Sequence, residues 1–167
     1  MHVITILEIK HLDKDNNILW EDSNLKNTFH TSGEEYFLKS LFIDQDLIPS
    51  NYYFGLDNRT AIEVGDTIDS IDSEPISGGY QRQSSASEDV FTSSVVSTVN
   101  RIISPVLSFS ATTEPGWGPV NNLFMTTSAD DSGYLVSTVR LSQELTLSAG
   151  QTVTLRMGIS LTDDDDD

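Results

Sequence analysis

Apolar and polar positions alternate most regularly near the C-terminal end of the chain, where Val153, Leu155, Met157, Ile159 and Leu161 are separated by Thr154, Arg156, Gly158 and Ser160. A period of two sends alternate side chains to opposite faces, so this stretch predicts a strand with one face in the core. Shorter extended runs precede it at Tyr52 to Leu56, Tyr80 to Ser84, Val95 to Val99, Ile102 to Ser110, Asn122 to Thr127 and Tyr134 to Leu141. Turn chemistry separates several of them at Ser77-Gly78-Gly79, Glu114-Pro115-Gly116, Asp130-Asp131-Ser132-Gly133 and Ala149-Gly150. Short strands with such breaks predict a mainly β protein, an antiparallel β-sandwich of jelly-roll-like form. Its expected core is Val106, Phe109, Leu123, Leu135, Val139, Leu141, Val153, Leu155, Met157 and Ile159.

The first third of the chain has a different pattern. Val3, Ile4, Ile6, Leu7 and Ile9 form an apolar run, Asp13-Lys14-Asp15-Asn16-Asn17 supplies turn formers, and Ile18-Leu19-Trp20 resumes the run, which predicts a hairpin over residues 3–22. An isolated hairpin is marginal in water, so this one needs cover, from its own sandwich or from a neighbouring chain whose sheet it completes; the second is the expectation. From Thr31 the period changes to that of a helix. Ser32 with Glu35 three residues on reads as a capping box, and Tyr36, Phe37, Leu38, Leu41 and Phe42 recur at helical spacing, which predicts one short α-helix over 32–43 with Pro49 beyond its end. Residues 57–79, rich in Asp, Ser and Gly, read as a long surface loop and a candidate contact region. The layout expected is one sandwich domain over 1–162, comprising an N-terminal hairpin or arm (1–30), a helical segment (31–49) and the main sandwich (50–162), then a disordered acidic tail at 163–167.

A chain of 167 residues suffices for one core. The absence of Cys excludes disulfides, thiolate metal sites and a Cys nucleophile, and it fits folding in a reducing cytoplasm. There is no run of about 18 apolar residues and no basic-headed signal segment, so no membrane association is expected. Nine Lys and Arg face 26 Asp and Glu, a formal charge of −17, which is still −12 without Asp163 to Asp167. That sign repels phosphates and anionic lipid and argues against nucleic acid as a partner.

Candidate chemistry is sparse. His2, His11 and His30 show no metal-ligand spacing, and neither a G-x-S-x-G elbow nor a phosphate-cradling glycine motif occurs. Asp13-x-Asp15-x-Asn17 matches the first three ligands of an EF-hand loop, but Ile18 stands where that loop needs Gly and Asn24 where it needs Glu, so a hairpin turn is expected there. Asp66, Asp69 and Asp72 read as a polar loop rather than a divalent-cation site. Asp66 with Glu74 is the kind of pair a glycosidase uses, given a cleft and a separation of about 5–10 Å. Arg59, Arg82, Arg101, Arg140 and Arg156 are dispersed and read as ion-pair partners. No catalytic, cofactor-binding or metal-binding residue is assigned, and the chain is expected not to be an enzyme.

The strings ILWEDS, NTFHTSGEEYFLKSLF, NYYFGLDNRT, DTIDSIDSEPISGGYQRQ, GWGPVNNLFMTTSADDSGYLVSTVRLS and SAGQTVTLRMGISL follow one another over most of residues 15–162. Their most telling marks are Asn27 to Gly33 ahead of a helix, Glu74 with Gly78-Gly79-Tyr80-x-Arg82, and Trp117-Gly118 leading into a strand. In this order they resemble small structural proteins of tailed bacteriophages, of the tail-fibre-like, neck or head-decoration kinds. The resemblance implies a virion protein, made in the host cytoplasm, that acts by assembling with other virion proteins and as a homo-oligomer; it carries no catalytic residue. The run Val3 to Leu12 and the Asp tail lie outside it. Each mark also has a physical reading: Gly79 turns the chain into a strand, Arg82 faces the same side as Tyr80, and Trp117 covers the sandwich edge. The alternatives are a carbohydrate-binding receptor module, which needs Tyr52, Tyr53, Trp117 or Tyr134 in solvent, and a glycan-cleaving enzyme.

Overall fold

The computed structural model describes residues 4–86, 92–96 and 99–160. In chain order the elements are β1 (Ile4–Leu12), β2 (Ile18–Asp22), β3 (Leu25–Phe29), α1 (Thr31–Phe42), β4 (Asn51–Asp57), β5 (Gln83–Ala86), β6 (Thr92–Val96), β7 (Val99–Ile103), β8 (Leu107–Ser110), β9 (Trp117–Thr126), β10 (Leu135–Leu147) and β11 (Thr152–Ile159). Short 3-10 turns occur at Gln45–Leu47 and Ile68–Ser70. The protein is mainly β with one α-helix among the described residues, as the pattern predicts, and no helix is long and apolar enough to cross a membrane. The Asp run at 163–167 and Leu161 lie outside the described residues.

The strands pair antiparallel in the order β5-β4-β9-β10-β3-β1-β11-β7-β6, with β2 beside β1 and β8 beside β11. The two layers of the sandwich are thus parts of one curled sheet, and the corner is β3. Ser23 and Asn24 interrupt β2 and β3, with Asn24 at φ 58°, a left-handed conformation that Asn tolerates. β3 pairs with β1 at Leu25 and Lys26, then leaves it to pair with β10 through Asn27, Thr28 and Phe29. The hairpin expected over residues 3–22 is formed by β1 and β2. It is not an arm held out for a neighbour, because β1 is paired along its length with β11 on one side and with β2 and β3 on the other.

Both halves of the curl enclose one core, with Ile6, Ile9, Phe109 and Leu155 contributed by one half and Phe54, Leu56, Leu123 and Val139 by the other. Ile6 and Ile9 are three residues apart yet both fully buried, because a bulge between Ile6 and Glu8 resets the alternation. Phe109, Leu123, Leu135, Val139, Leu141, Val153, Leu155 and Met157 are buried as expected, and Ile159 is partly buried. Val106 is not: the strand expected over Ile102 to Ser110 breaks at Ser104 and Pro105. Ser104 closes the gap itself, its N–H donating to Met157 O and its hydroxyl accepting from Met157 N–H, both at 2.9 Å. Pro105 has no N–H for a ladder, and Val106 swings into solvent. The strand expected at Val95 to Val99 is instead the meeting point of β6 and β7, whose Val96 and Val99 are partners.

The outer face of β9 and β10 is covered too. Leu135, Val136, Ser137, Thr138 and Val139 are consecutive and all buried, which a strand with one wet face does not show. α1 lies on β10, while Ile68 and Ile71 pack on Phe124 and Leu135. Residues 58–79 form the long surface loop expected, without a strand or α-helix, and it is pinned to the sheet at Arg59 and Ile68 while Val64 and Ile76 remain exposed.

Candidate functional site

The two ends of α1 have different surroundings. The helix starts at Thr31 with His30 as N-cap, and no side chain caps it, so the capping box expected from Ser32 and Glu35 does not form. Ser32 lies inside the first turn and its hydroxyl donates to the Leu135 carbonyl at 2.6 Å, while Glu35 pairs with Lys39. Gly33 approaches the sheet so closely that a Cβ would stand 2.4 Å from the Val136 carbonyl oxygen. Tyr36 is buried among Phe37, Tyr52 and Tyr134, its hydroxyl 2.7 Å from that of Tyr52. Burial, aided by that bond, holds the Tyr36 hydroxyl pKa well above its ordinary value. The buried stripe is Gly33, Tyr36 and Ser40, at spacings of three and four.

The remaining apolar residues do not share that face. Two positions beyond Tyr36, Leu38 is rotated by about 200° around the axis, and Leu41 and Phe42 fall on the same outward side. Leu38 is 52% exposed, Leu41 60%, Phe42 80% and Ile43 78%; Phe37 alone packs partly against the core. The backbone of this tip is fixed. The N–H groups of Ile43 and Asp44 both donate to Lys39 O, at 2.9 and 2.8 Å, and the Asp44 carboxylate accepts from Asp46 N–H at 3.1 Å in the turn that follows. Ile48, half exposed, follows the 3-10 turn at Gln45–Leu47. Glu34, Glu35, Asp44 and Asp46, all exposed, occupy the adjoining positions.

Two charged clusters hold the 58–79 loop in place. In the first, Asp57 is fully buried at the end of β4. Its carboxylate accepts from Arg59 N–H at 2.8 Å, from the Arg59 guanidinium at 3.1 and 3.2 Å, and from the Asn122 amide at 2.7 Å. Arg59 also donates to Asp66 at 2.9 Å and to Thr138 Oγ1 at 3.0 Å. His30 Nδ1 lies 2.9 Å from the Glu63 carbonyl and Nε2 lies 2.8 Å from Thr138 Oγ1. A carbonyl only accepts, so Nδ1 carries the proton and Nε2 accepts from the Thr138 hydroxyl. Burial depresses the His30 pKa, against the opposing pulls of the Glu63 carbonyl and Asp66.

In the second cluster Glu74 accepts from Tyr80 Oη at 2.8 Å and from Arg82 at 2.8 to 3.1 Å. Arg82 continues to Asp131 at 2.7 Å and lies over the Phe124 ring, 5.2 Å from its centroid. Burial pulls the Arg82 pKa down, but its bonds to Glu74 and Asp131 outweigh that and leave it raised. Tyr80 stacks on Phe109 and meets Trp117 edge-on. Gly78, at φ 64°, passes so close to Gly116 that a Cβ would lie 2.3 Å from its backbone. Glu74, Tyr80, Arg82 and Trp117, singled out as sequence marks, therefore meet in one place and fix the fold there.

The other sequence candidates are scattered. Asp66 and Glu74 join different clusters, each committed to a guanidinium. Asp13 holds the β1–β2 turn, accepting from the N–H groups of Asp15 and Asn17 at 2.8 Å. Asp69 and Asp72 are exposed, and among the described residues no group of three or more His, Asp and Glu is placed to hold a metal ion. Trp117 is buried, and Tyr52, Tyr53 and Tyr134 are half-buried. His11 is buried with Nε2 3.2 Å from Gln151; His2 lies outside the described residues. Arg140 donates to the Arg59 carbonyl at 3.0 Å, and Arg156 is exposed beside an open groove of about 660 Å³ between Glu8, Glu21 and Ile103. Sequence reasoning missed Ile43, and the cluster members Asp57, Asn122 and Thr138. The usable signals were an excess of apolar residues over what one helix face accommodates, and a carboxylate closing the run Phe54-Gly55-Leu56 two residues before an Arg. No protein-family model matches the chain, and no curated protein or solved structure matches it.

Proposed function

We propose that this chain is a non-enzymatic assembly subunit that binds another protein through the α1 tip, formed by Leu38, Leu41, Phe42 and Ile43. Its proposed setting is a tailed-phage virion, in the tail or neck or as a head decoration. One observation carries the assembly reading: Phe42 and Ile43, at 80% and 78% exposure, stand on a hydrogen-bonded backbone that presents them to solvent. Covering such a side chain fully is worth about 1.5–3 kcal/mol, and contiguous exposed apolar surface of this kind marks interaction sites. The virion setting rests on the ordered sequence strings and their resemblance to phage structural proteins. Glycan cleavage is disfavoured because the two carboxylates proposed for it are each held by an Arg in separate clusters.

The test is a double substitution, Phe42→Ser with Ile43→Ser, introduced into the phage that produces the chain. Folding is expected to be unchanged, and quantitative mass spectrometry of purified particles should find the variant depleted relative to wild type. Absence of the wild-type chain from particles would remove the virion setting, and undiminished incorporation of the variant would remove the tip as the contact.

A further inference from the structure

We infer that the α1 tip docks onto an apolar surface bordered by Lys and Arg on a different protein, and not onto a second copy of this chain. This rests on the assembly reading and adds the chemistry of the partner. The outward stripe Leu38, Leu41 and Phe42 begins one turn after Glu34, which lies on the same side of the helix at a spacing of four. It ends at Ile43, followed at once by Asp44 and Asp46. The one base within the stretch, Lys39, is already paired with Glu35. The apolar surface is therefore framed by Glu34 at one end and by Asp44 and Asp46 at the other, none of them ion-paired among the described residues, and the negative end of the α1 dipole lies at the Asp44 end. A partner rim of Lys and Arg satisfies all three.

A second copy does not. A two-fold interface places the same patch on both sides, so Glu34 and Asp44 of each copy would face acidic residues of the other, and each molecule carries −17 overall. The chain's own Asp163 to Asp167 has the same wrong sign. Charge thus selects the occupant, while Phe42 and Ile43 supply the contact, the division of labour common at steered interfaces.

The experiment uses the full purified chain and two helical peptides, each with a Leu and Phe stripe, one flanked by Lys and the other by Glu. Binding is measured by titration calorimetry at about 0.05 M and about 0.5 M salt, where screening lengths differ several-fold, with sedimentation of the chain alone. The Lys-flanked peptide should bind, weaken about tenfold or more at high salt, and weaken likewise against Phe42→Ser with Ile43→Ser, while the Glu-flanked peptide should not bind. Equal binding to wild type and double variant would mean simple charge attraction to an acidic chain and would overturn the inference. Self-association that the double variant abolishes and salt strengthens would also overturn it, leaving assembly through the tip intact. A monomeric chain that binds neither peptide would remove both.

Discussion

The two halves of α1 are used in the reverse of the order their composition suggests: the more polar half is embedded and the more apolar half faces solvent. Residues 31–37 carry only Tyr36 and Phe37 as large apolar side chains, and Gly33 and Tyr36 are buried against the sheet, whereas residues 38–43 carry Leu38, Leu41, Phe42 and Ile43, all of which face solvent on a hydrogen-bonded backbone. Burial of the first half is enforced by three separate contacts: the Ser32 bond to Leu135, the close approach of Gly33 to Val136, and the Tyr36 hydroxyl with that of Tyr52. In the second half Ser40 is buried as well, but its hydroxyl donates to the Phe37 carbonyl within the helix, and the four apolar residues around it are exposed. Apolar surface that the chain's own packing does not use is surface left for something else, and the difference between the halves can be measured.

Gly33 should show the largest effect. Gly33→Val places a branched side chain where even a Cβ would be 2.4 Å from a backbone oxygen of β10, and backbone cannot move aside as a side chain tip can. The helix must lift from the sheet, and we expect loss of soluble folded protein or a destabilisation on the order of 3–5 kcal/mol by denaturant unfolding. A variant with wild-type stability would mean that α1 does not sit on Val136. Tyr36→Ala follows closely, at about 3–5 kcal/mol for removing a buried aromatic side chain, with the Tyr52 hydroxyl left without its partner.

Much of this architecture was legible in the sequence. The period-two run at 153–159, the β1–β2 hairpin and its Asp13 turn, and the existence of the helix all follow from local pattern and turn chemistry, and all are present. The failures share a cause. Ser32 was expected to cap the helix because the local motif fits, but the Leu135 carbonyl, 103 residues away, offers the hydroxyl a bond that local rules do not register. Residues 58–79 form the surface loop their polarity predicts, but local pattern does not show that Asp57, Arg59 and Asp66 anchor it to Thr138 of β10. Which side of the helix is buried is likewise beyond local rules. Tyr36, Phe37, Leu38, Leu41 and Phe42 predict a broad apolar face, and only the tertiary position of β10 decides which of them is covered.

Acid should act on the embedded half. His30 closes the N-terminal end of α1, with Arg59 and Asp66 facing it from the 58–79 loop and Thr138 from β10. Its folded pKa is depressed below 6.5 by burial, so the unfolded chain binds the extra proton first. Stability from this group is fully present above the unfolded value and is lost as pH falls through it toward the folded value, at no more than about 1.4 kcal/mol per pH unit. His11, also depressed by burial, acts in the same direction. Melting curves between pH 8 and pH 5 should therefore fall with acid for the wild type and fall less steeply for His30→Gln. Parallel profiles would show that His30 titrates alike in both states.

The smallest effect on stability should come from the exposed half, and its smallness is the informative result. Phe42 is one of the largest apolar side chains in the chain, and in the position of Tyr36 its removal would cost about 3–5 kcal/mol. At 80% exposure it has little burial to lose. Phe42→Ser also keeps every hydrogen bond of the tip, because these run through backbone groups and Asp44. We expect a change within about 0.5 kcal/mol, the range of surface substitutions, measured by the same denaturant unfolding as for Tyr36→Ala. A loss comparable to that of Tyr36→Ala would mean that Phe42 is covered by the chain itself. Phe42 would then be ordinary core, and the apolar surface available to a partner would shrink to Leu38, Leu41 and Ile43.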